Sequence, residues 1–149
     1  MEDKLARVTK LILDAMYFGG ILVTITVPLT FYWYGKIFNS WFREFYIQLC
    51  VLFMISGVLA VLILGELRKM FKTVLADNCF VRENVVSLRK MGTYSFIIGA
   101  VTALRLPLYV TPAAMIIVLV FVIAGLFSKV LSRVFDKAIS YKEENDLTI

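Results

Sequence analysis

A chain of 149 residues that is 60% hydrophobic, with a mean hydropathy of +0.84, carries more apolar surface than one small water-soluble core can bury. It has a formal charge of +5 and no histidine, which excludes the usual zinc sites, a His-ligated haem and any Ser-His or Cys-His nucleophile pair. The basic residues flank apolar runs rather than cluster on a soluble face, so they read as a membrane-topology signal and not as a direct nucleic-acid surface.

The first apolar run covers residues 11–33 and at 1.5 Å per residue reaches roughly 34 Å, enough to cross a hydrocarbon core of about 30 Å with some tilt. It is too long for a signal-peptide core and ends without a small-x-small cleavage site, so it is expected to stay as a span. Asp14 is the one acid inside it. An intramembrane carboxylate is a candidate proton or cation site, yet Asp14 sits about one turn in, where headgroup water or Lys10 at i,i+4 can satisfy it. Trp33, Tyr34, Trp41 and Phe42 then form an aromatic cluster of the kind that settles at headgroup level.

Residues 45–64 carry no charge and make the second span. From Glu66 the pattern turns amphipathic, with Leu67, Met70, Phe71, Val74 and Leu75 at helical spacing opposite Arg68, Lys69, Lys72 and Thr73. This predicts a cytoplasmic amphipathic helix within the loop 65–90, fit to lie on the inner leaflet or to dock a partner. Asp77 and Asn78 mark its end, because Asn tolerates a left-handed conformation.

The third span is expected over residues 91–109, with Arg105 near its far end, either snorkelling to the outer interface or paired with a carboxylate such as Glu44. Pro107 and Pro112 bracket a tight hairpin, and residues 113–131 form the fourth span. A tail over residues 136–149 follows, short, acidic and too small to fold alone. Ser95, Gly99 and Ala103 on the third helix, and Ala124, Ser128 and Ser132 on the fourth, offer small-residue seams that serve packing within one chain or a homo-oligomer. Cys50 falls in a span and Cys79 in a charged connection, so no disulfide is expected between them.

Thirteen of the 16 Lys and Arg residues precede the first span, lie between the second and third, or follow within and after the fourth. Lys36, Arg43 and Arg105 are the remaining 3. Positive residues are retained on the cytoplasmic side, so this split predicts both termini and the central loop inside. The fold expected is an all-α, four-helix transmembrane bundle forming one domain over residues 1–149.

The segment Asp77-Asn78-Cys79-Phe80-Val81-Arg82-Glu83-Asn84-Val85, followed by Leu88, Arg89 and Gly92, resembles a family of small bacterial four-span membrane proteins. The family is catalogued as a domain of unknown function, number 2975. The ending Glu143-Glu144-Asn145-Asp146-Leu147-Thr148-Ile149 is similar to its carboxyl-terminal signature. Similar proteins often place Ser or Thr ahead of the third helix; here Val81 cannot accept a hydrogen bond through its side chain. The resemblance implies residence in the bacterial cytoplasmic membrane. It also implies a neighbour, because genes of this family commonly adjoin one for a very small helix-turn-helix regulator.

No carboxylate pair, activated nucleophile or metal set is visible, so neither an enzyme nor a bound cofactor or metal is expected. The preferred reading is a regulatory or binding protein that captures a small cytoplasmic DNA-binding partner through Asn78, Phe80, Glu83, Asn84, Arg89 and the tail residues Glu144, Asn145, Asp146, Leu147, Thr148 and Ile149. Two alternatives stand beside it. The acidic tail and basic loop can clasp each other within one chain, and a small transporter or channel can be built around Asp14.

Overall fold

The structure is a computed structural model that describes residues 2–37, 46–107 and 111–147. Four helices make up these residues: α1 (Glu2–Ile37), α2 (Tyr46–Leu75), α3 (Arg82–Arg105) and α4 (Pro112–Leu147). The aromatic cluster at Trp41 and Phe42, the residues Arg43 and Glu44, and the final Thr148 and Ile149 lie outside the described residues.

The helix ends follow local chemistry. α2 runs without a break through the amphipathic stretch to Leu75, so Glu66 to Leu75 is a continuation of the second apolar helix. Its closure falls where the sequence places it. Asp77 adopts φ 55°, its N–H donates to the Val74 carbonyl at 3.1 Å, and the Asn78 N–H donates to the Thr73 carbonyl at 3.0 Å. This pair of bonds satisfies carbonyls that a helix end leaves orphaned. α3 starts after Val81, which is extended and makes no side-chain cap; the Asn84 N–H bonds the Val81 carbonyl at 3.0 Å instead. α4 starts on a better cap, with the Thr111 hydroxyl accepting from the Ala114 N–H at 3.1 Å and Pro112 at the first helical position, where no N–H is needed.

α4 does not stop before the acidic tail. It continues to Leu147 and takes residues 136–147 with it as helix. Inward contacts hold this extension: Ile139 is buried, and the Phe135 ring lies 5.2 Å from that of Phe80.

Each helix packs on its neighbour in chain order, α1 on α2, α2 on α3 and α3 on α4; among the described residues, the backbones of α1 and α4 do not approach within 8 Å. The bundle is therefore open along one side. α3 is the interior member, with Asn84, Val85, Ser87, Leu88, Met91, Ser95 and Ile98 among its buried residues. α1, α2 and α4 are long and apolar enough to cross a membrane, while little of their apolar surface is buried inside the chain. Leu22, Ile25 and Leu29 of α1, and Ile116, Leu119, Ile123 and Phe127 of α4, point outward and exposed. Apolar surface of this extent fits lipid better than water.

Between lipid-bathed helices the hydrophobic effect gives little attraction, and close approach over small residues takes its place. A Cβ on Gly57 would stand 2.7 Å from the Thr24 hydroxyl, one on Gly125 would meet the Phe96 ring at 2.8 Å, and one on Gly92 would meet the Lys129 stem at 3.0 Å. Ser95, Gly99 and Ser132 of the small-residue seams are buried where α3 packs on α4, within one chain.

The glycines supply a paired test. Gly57→Ala should lower the unfolding midpoint in detergent by the equivalent of roughly 1–3 kcal/mol, the usual cost of overpacking. Gly19→Ala, with nothing within 4 Å of the added methyl, should leave the midpoint unchanged or raise it by up to about 1 kcal/mol through helix propensity. Equal responses at the two positions would show that α1 does not lie against α2 in this register.

Candidate functional site

Most polar side chains that link the helices gather at one end of the bundle, the end that carries the connection between α2 and α3; at the other end the Tyr46 hydroxyl of α2 donates to the Pro28 carbonyl of α1 at 2.8 Å. Asp14 of α1 accepts a hydrogen bond from the Arg68 Nε of α2 at 2.5 Å. Lys10, the partner that the i,i+4 spacing suggests, stands farther off at 4.0 Å. The Arg68 guanidinium also lies 4.5 Å from the Tyr17 ring centre and 5.2 Å from that of Phe18. Asp14 is thus held by one charge-assisted bond from a guanidinium with aromatic backing, and its chief partner is 54 residues away in sequence.

Glu66 is the buried carboxylate of the chain's described residues, 7% exposed. The Ser87 hydroxyl of α3 donates to its Oε2 at 2.7 Å. Lys69 at 3.4 Å and Lys90 at 3.9 Å face its Oε1. A carboxylate withdrawn from water costs several kcal/mol unless it is paired and hydrogen-bonded, and these three groups meet that requirement. Glu66 was not singled out by the pattern; its signal is its place as the first charge after an uncharged run.

Asn84, one of the predicted site residues, is the large side chain buried most completely, at 2% exposure. Its Nδ2 donates to the Thr73 hydroxyl at 2.7 Å and to the Cys79 carbonyl at 2.6 Å. It therefore binds the end of α2 and the following turn to α3, and its side chain is enclosed by the chain itself.

The link to α4 is made by Arg82, which pairs with Asp136 and lies 3.8 Å from Glu143. Lys129 adds a second tie, donating to the Arg89 carbonyl at 3.0 Å and to the Thr93 hydroxyl at 2.8 Å. The basic connection and the acidic extension do meet, through helix-to-helix contacts rather than through a tail folding back.

The predicted site residues therefore divide. Asn84 belongs to the interior. Phe80, though 44% exposed, rests its ring on Phe135. Asn78, Glu83 and Arg89 are exposed around the start of α3, and Glu144, Asn145, Asp146 and Leu147 are exposed along the end of α4. Arg105 lies at the opposite end of the bundle, with its Nε buried and without a hydrogen-bond partner among the described residues and its guanidinium 4.9 Å from the Phe53 ring centre. A buried stem of this kind is also what snorkelling asks for, and Glu44, the other partner the sequence offers, lies outside the described residues.

An all-helical bundle with three apolar helices of membrane-crossing length, closed at one end by a polar belt, is the build of a helical membrane protein. The chain belongs to the family described as protein of unknown function (DUF2975), whose model matches residues 24–149. No match was found among curated proteins or among solved structures.

Asn84→Ala should cost roughly 1–3 kcal/mol, because it leaves buried acceptors on Thr73 and Cys79 short of a donor. It should also speed hydrogen exchange through residues 76–81. The neighbouring exposed Glu83→Ala should stay within about 0.5 kcal/mol of the parent. Similar losses from both would remove Asn84 from its bracing role.

Proposed function

We propose that the chain is a non-enzymatic regulatory membrane protein of the bacterial cytoplasmic membrane, with four crossings and both termini in the cytoplasm. Its belted end offers a docking surface to a small cytoplasmic protein. The Lys and Arg distribution supports this orientation, with 13 of 16 on the belted side by sequence. α3 is the fourth crossing. Its 24 residues reach about 36 Å, and flanking by α2 and α4 keeps Asn84, Ser87 and Ser95 away from lipid.

The observation that carries the docking reading is the form of the α4 end. Asp136 and Glu143 are taken up by Arg82, whereas Tyr141, Glu144, Asp146 and Leu147 on the same helix are exposed. The last turn, where Glu144 and Asp146 stand exposed beyond Lys142, is a small acidic patch already ordered as helix, and it binds without first losing backbone entropy. It suits a basic partner, and the family resemblance points to a small helix-turn-helix regulator, whose DNA-binding face is positive. Docking there would hold the regulator away from DNA by charge complementarity. The amphipathic run from Glu66 to Leu75 forms the rim of this surface at the inner leaflet.

The transporter alternative has less support, since Asp14 is engaged by Arg68. Loss of a proton-driven flux in Asp14→Asn would promote it.

Two measurements test the proposal. A membrane-impermeant maleimide should leave Cys79 unlabelled in intact cells and label it in inverted vesicles; labelling from outside would reverse the orientation. Cross-linking in native membranes should recover a small DNA-binding protein on the parent chain. The paired reversal Glu144→Lys with Asp146→Lys should reduce that recovery at least about tenfold, without changing the unfolding midpoint. Undiminished recovery would rule out the α4 end as the docking surface.

A further inference from the structure

Away from the polar belt the helices line a partly open cavity of about 420 Å³. All four helices line it, with Val23 and Val27 from α1, Phe53 and Ala60 from α2, Ile98 from α3 and Phe121 from α4 among the apolar groups. Along α2 it extends from Leu52 to Ala60, about 12 Å of helix at 1.5 Å per residue. Its volume falls within the range of about 300–1,000 Å³ typical of small-molecule sites.

The polar groups on this lining are few. The Thr24 hydroxyl donates to the Gly20 carbonyl at 2.7 Å and the Thr102 hydroxyl to the Ile98 carbonyl at 2.8 Å, so both are spent within their own helices. Arg105 is the charged residue of the lining. Its Nε is shut off from solvent and makes no hydrogen bond among the described residues, and its neighbour is the Phe53 ring. A guanidinium with one buried N–H short of an acceptor among the described residues, at one end of an apolar slot, is complementary to an anion that carries an apolar chain.

We propose that this cavity binds a single-chain anionic amphiphile, a long-chain carboxylate taken from the surrounding bilayer, with its head on Arg105 and its chain laid between α1 and α4. The planar fork of arginine matches a carboxylate with two parallel hydrogen bonds. The slot runs about 12 Å along α2 from Leu52 to Ala60, the length of part of one acyl chain, with Arg105 on its lining for the head. The separation of α1 from α4 gives the chain a lateral way in. This site lies at the far end from the docking surface, and neither reading depends on the other.

The test uses the full chain in phosphatidylcholine nanodiscs and tetradecanoate carrying a mid-chain photoreactive group. Cross-links should map to residues 23–27 and 52–60 and be competed by unlabelled tetradecanoate. The methyl ester of the same acid should compete at least about tenfold more weakly. Arg105→Gln should weaken carboxylate competition by about tenfold or more, with Arg105→Lys intermediate. Ala60→Phe, which fills the slot and leaves the cation in place, should abolish the mapped cross-links in a protein whose helicity and unfolding midpoint match the parent. Cross-links scattered over the outward faces of α1 and α4 and indifferent to Ala60→Phe would overturn the site. Equal competition by the methyl ester would overturn the role of Arg105, and competition by phosphatidylglycerol but not tetradecanoate would overturn the choice of a single-chain ligand.

Discussion

The buried carboxylate of Glu66 is the point on which the belted end of the molecule depends. It sits on α2, takes a hydroxyl from α3 through Ser87, and is faced by lysines from both helices. Removing its partners would strand a charge in the interior, so α2 and α3 are held in one register. From this centre the polar links continue outward in order: Asp14 to Arg68 fixes α1 on α2, and Arg82 to Asp136 fixes α4 on α3. Apolar helices in lipid gain little by choosing one neighbour over another. Directional polar contacts provide the choice.

The two ends of the bundle solve opposite problems with the same residue types. At the belted end Asp14 and the buried Glu66 meet opposite charges or a hydroxyl. At the other end Arg105 meets an aromatic ring and shares the lining of an apolar cavity with residues of all four helices. The cavity lies in a bundle whose contacts run α1 to α2 to α3 to α4 without closing the circle among the described residues.

Much of the architecture could be read from the chain because hydropathy and helix punctuation act locally. The uncharged run of residues 45–64, the prolines of the last hairpin and the turn at Asp77 and Asn78 each announce themselves within a few residues. The partners of Asp14, Glu66 and Asn84 do not. Spacing along one helix suggested Lys10 for Asp14, whereas Arg68, 54 residues on, comes closer, because antiparallel packing brings the first turns of α1 to the last turns of α2. Asn84 looked like a surface recognition residue for the same reason, since a polar side chain at a helix start gives no sign in sequence that a neighbouring helix will cover it. The acidic ending looked too small to fold alone, and it does not fold alone: Ile139 and Phe135 tie it to the rest as part of α4.

The length of α4 has a mechanical consequence. Its 36 residues make a rod of about 54 Å, and from the Lys129 tie to Leu147 the rod projects roughly 27 Å at the same rise per residue. Membrane helices absorb changes in bilayer thickness by tilting. A tilt of about 10° about that tie would swing the tip by roughly 5 Å, more than the reach of a hydrogen bond. Arg82 meets the rod at Asp136 and, more loosely, at Glu143, 3.8 Å away, so a swing of that size would lengthen the outer contact before the inner one.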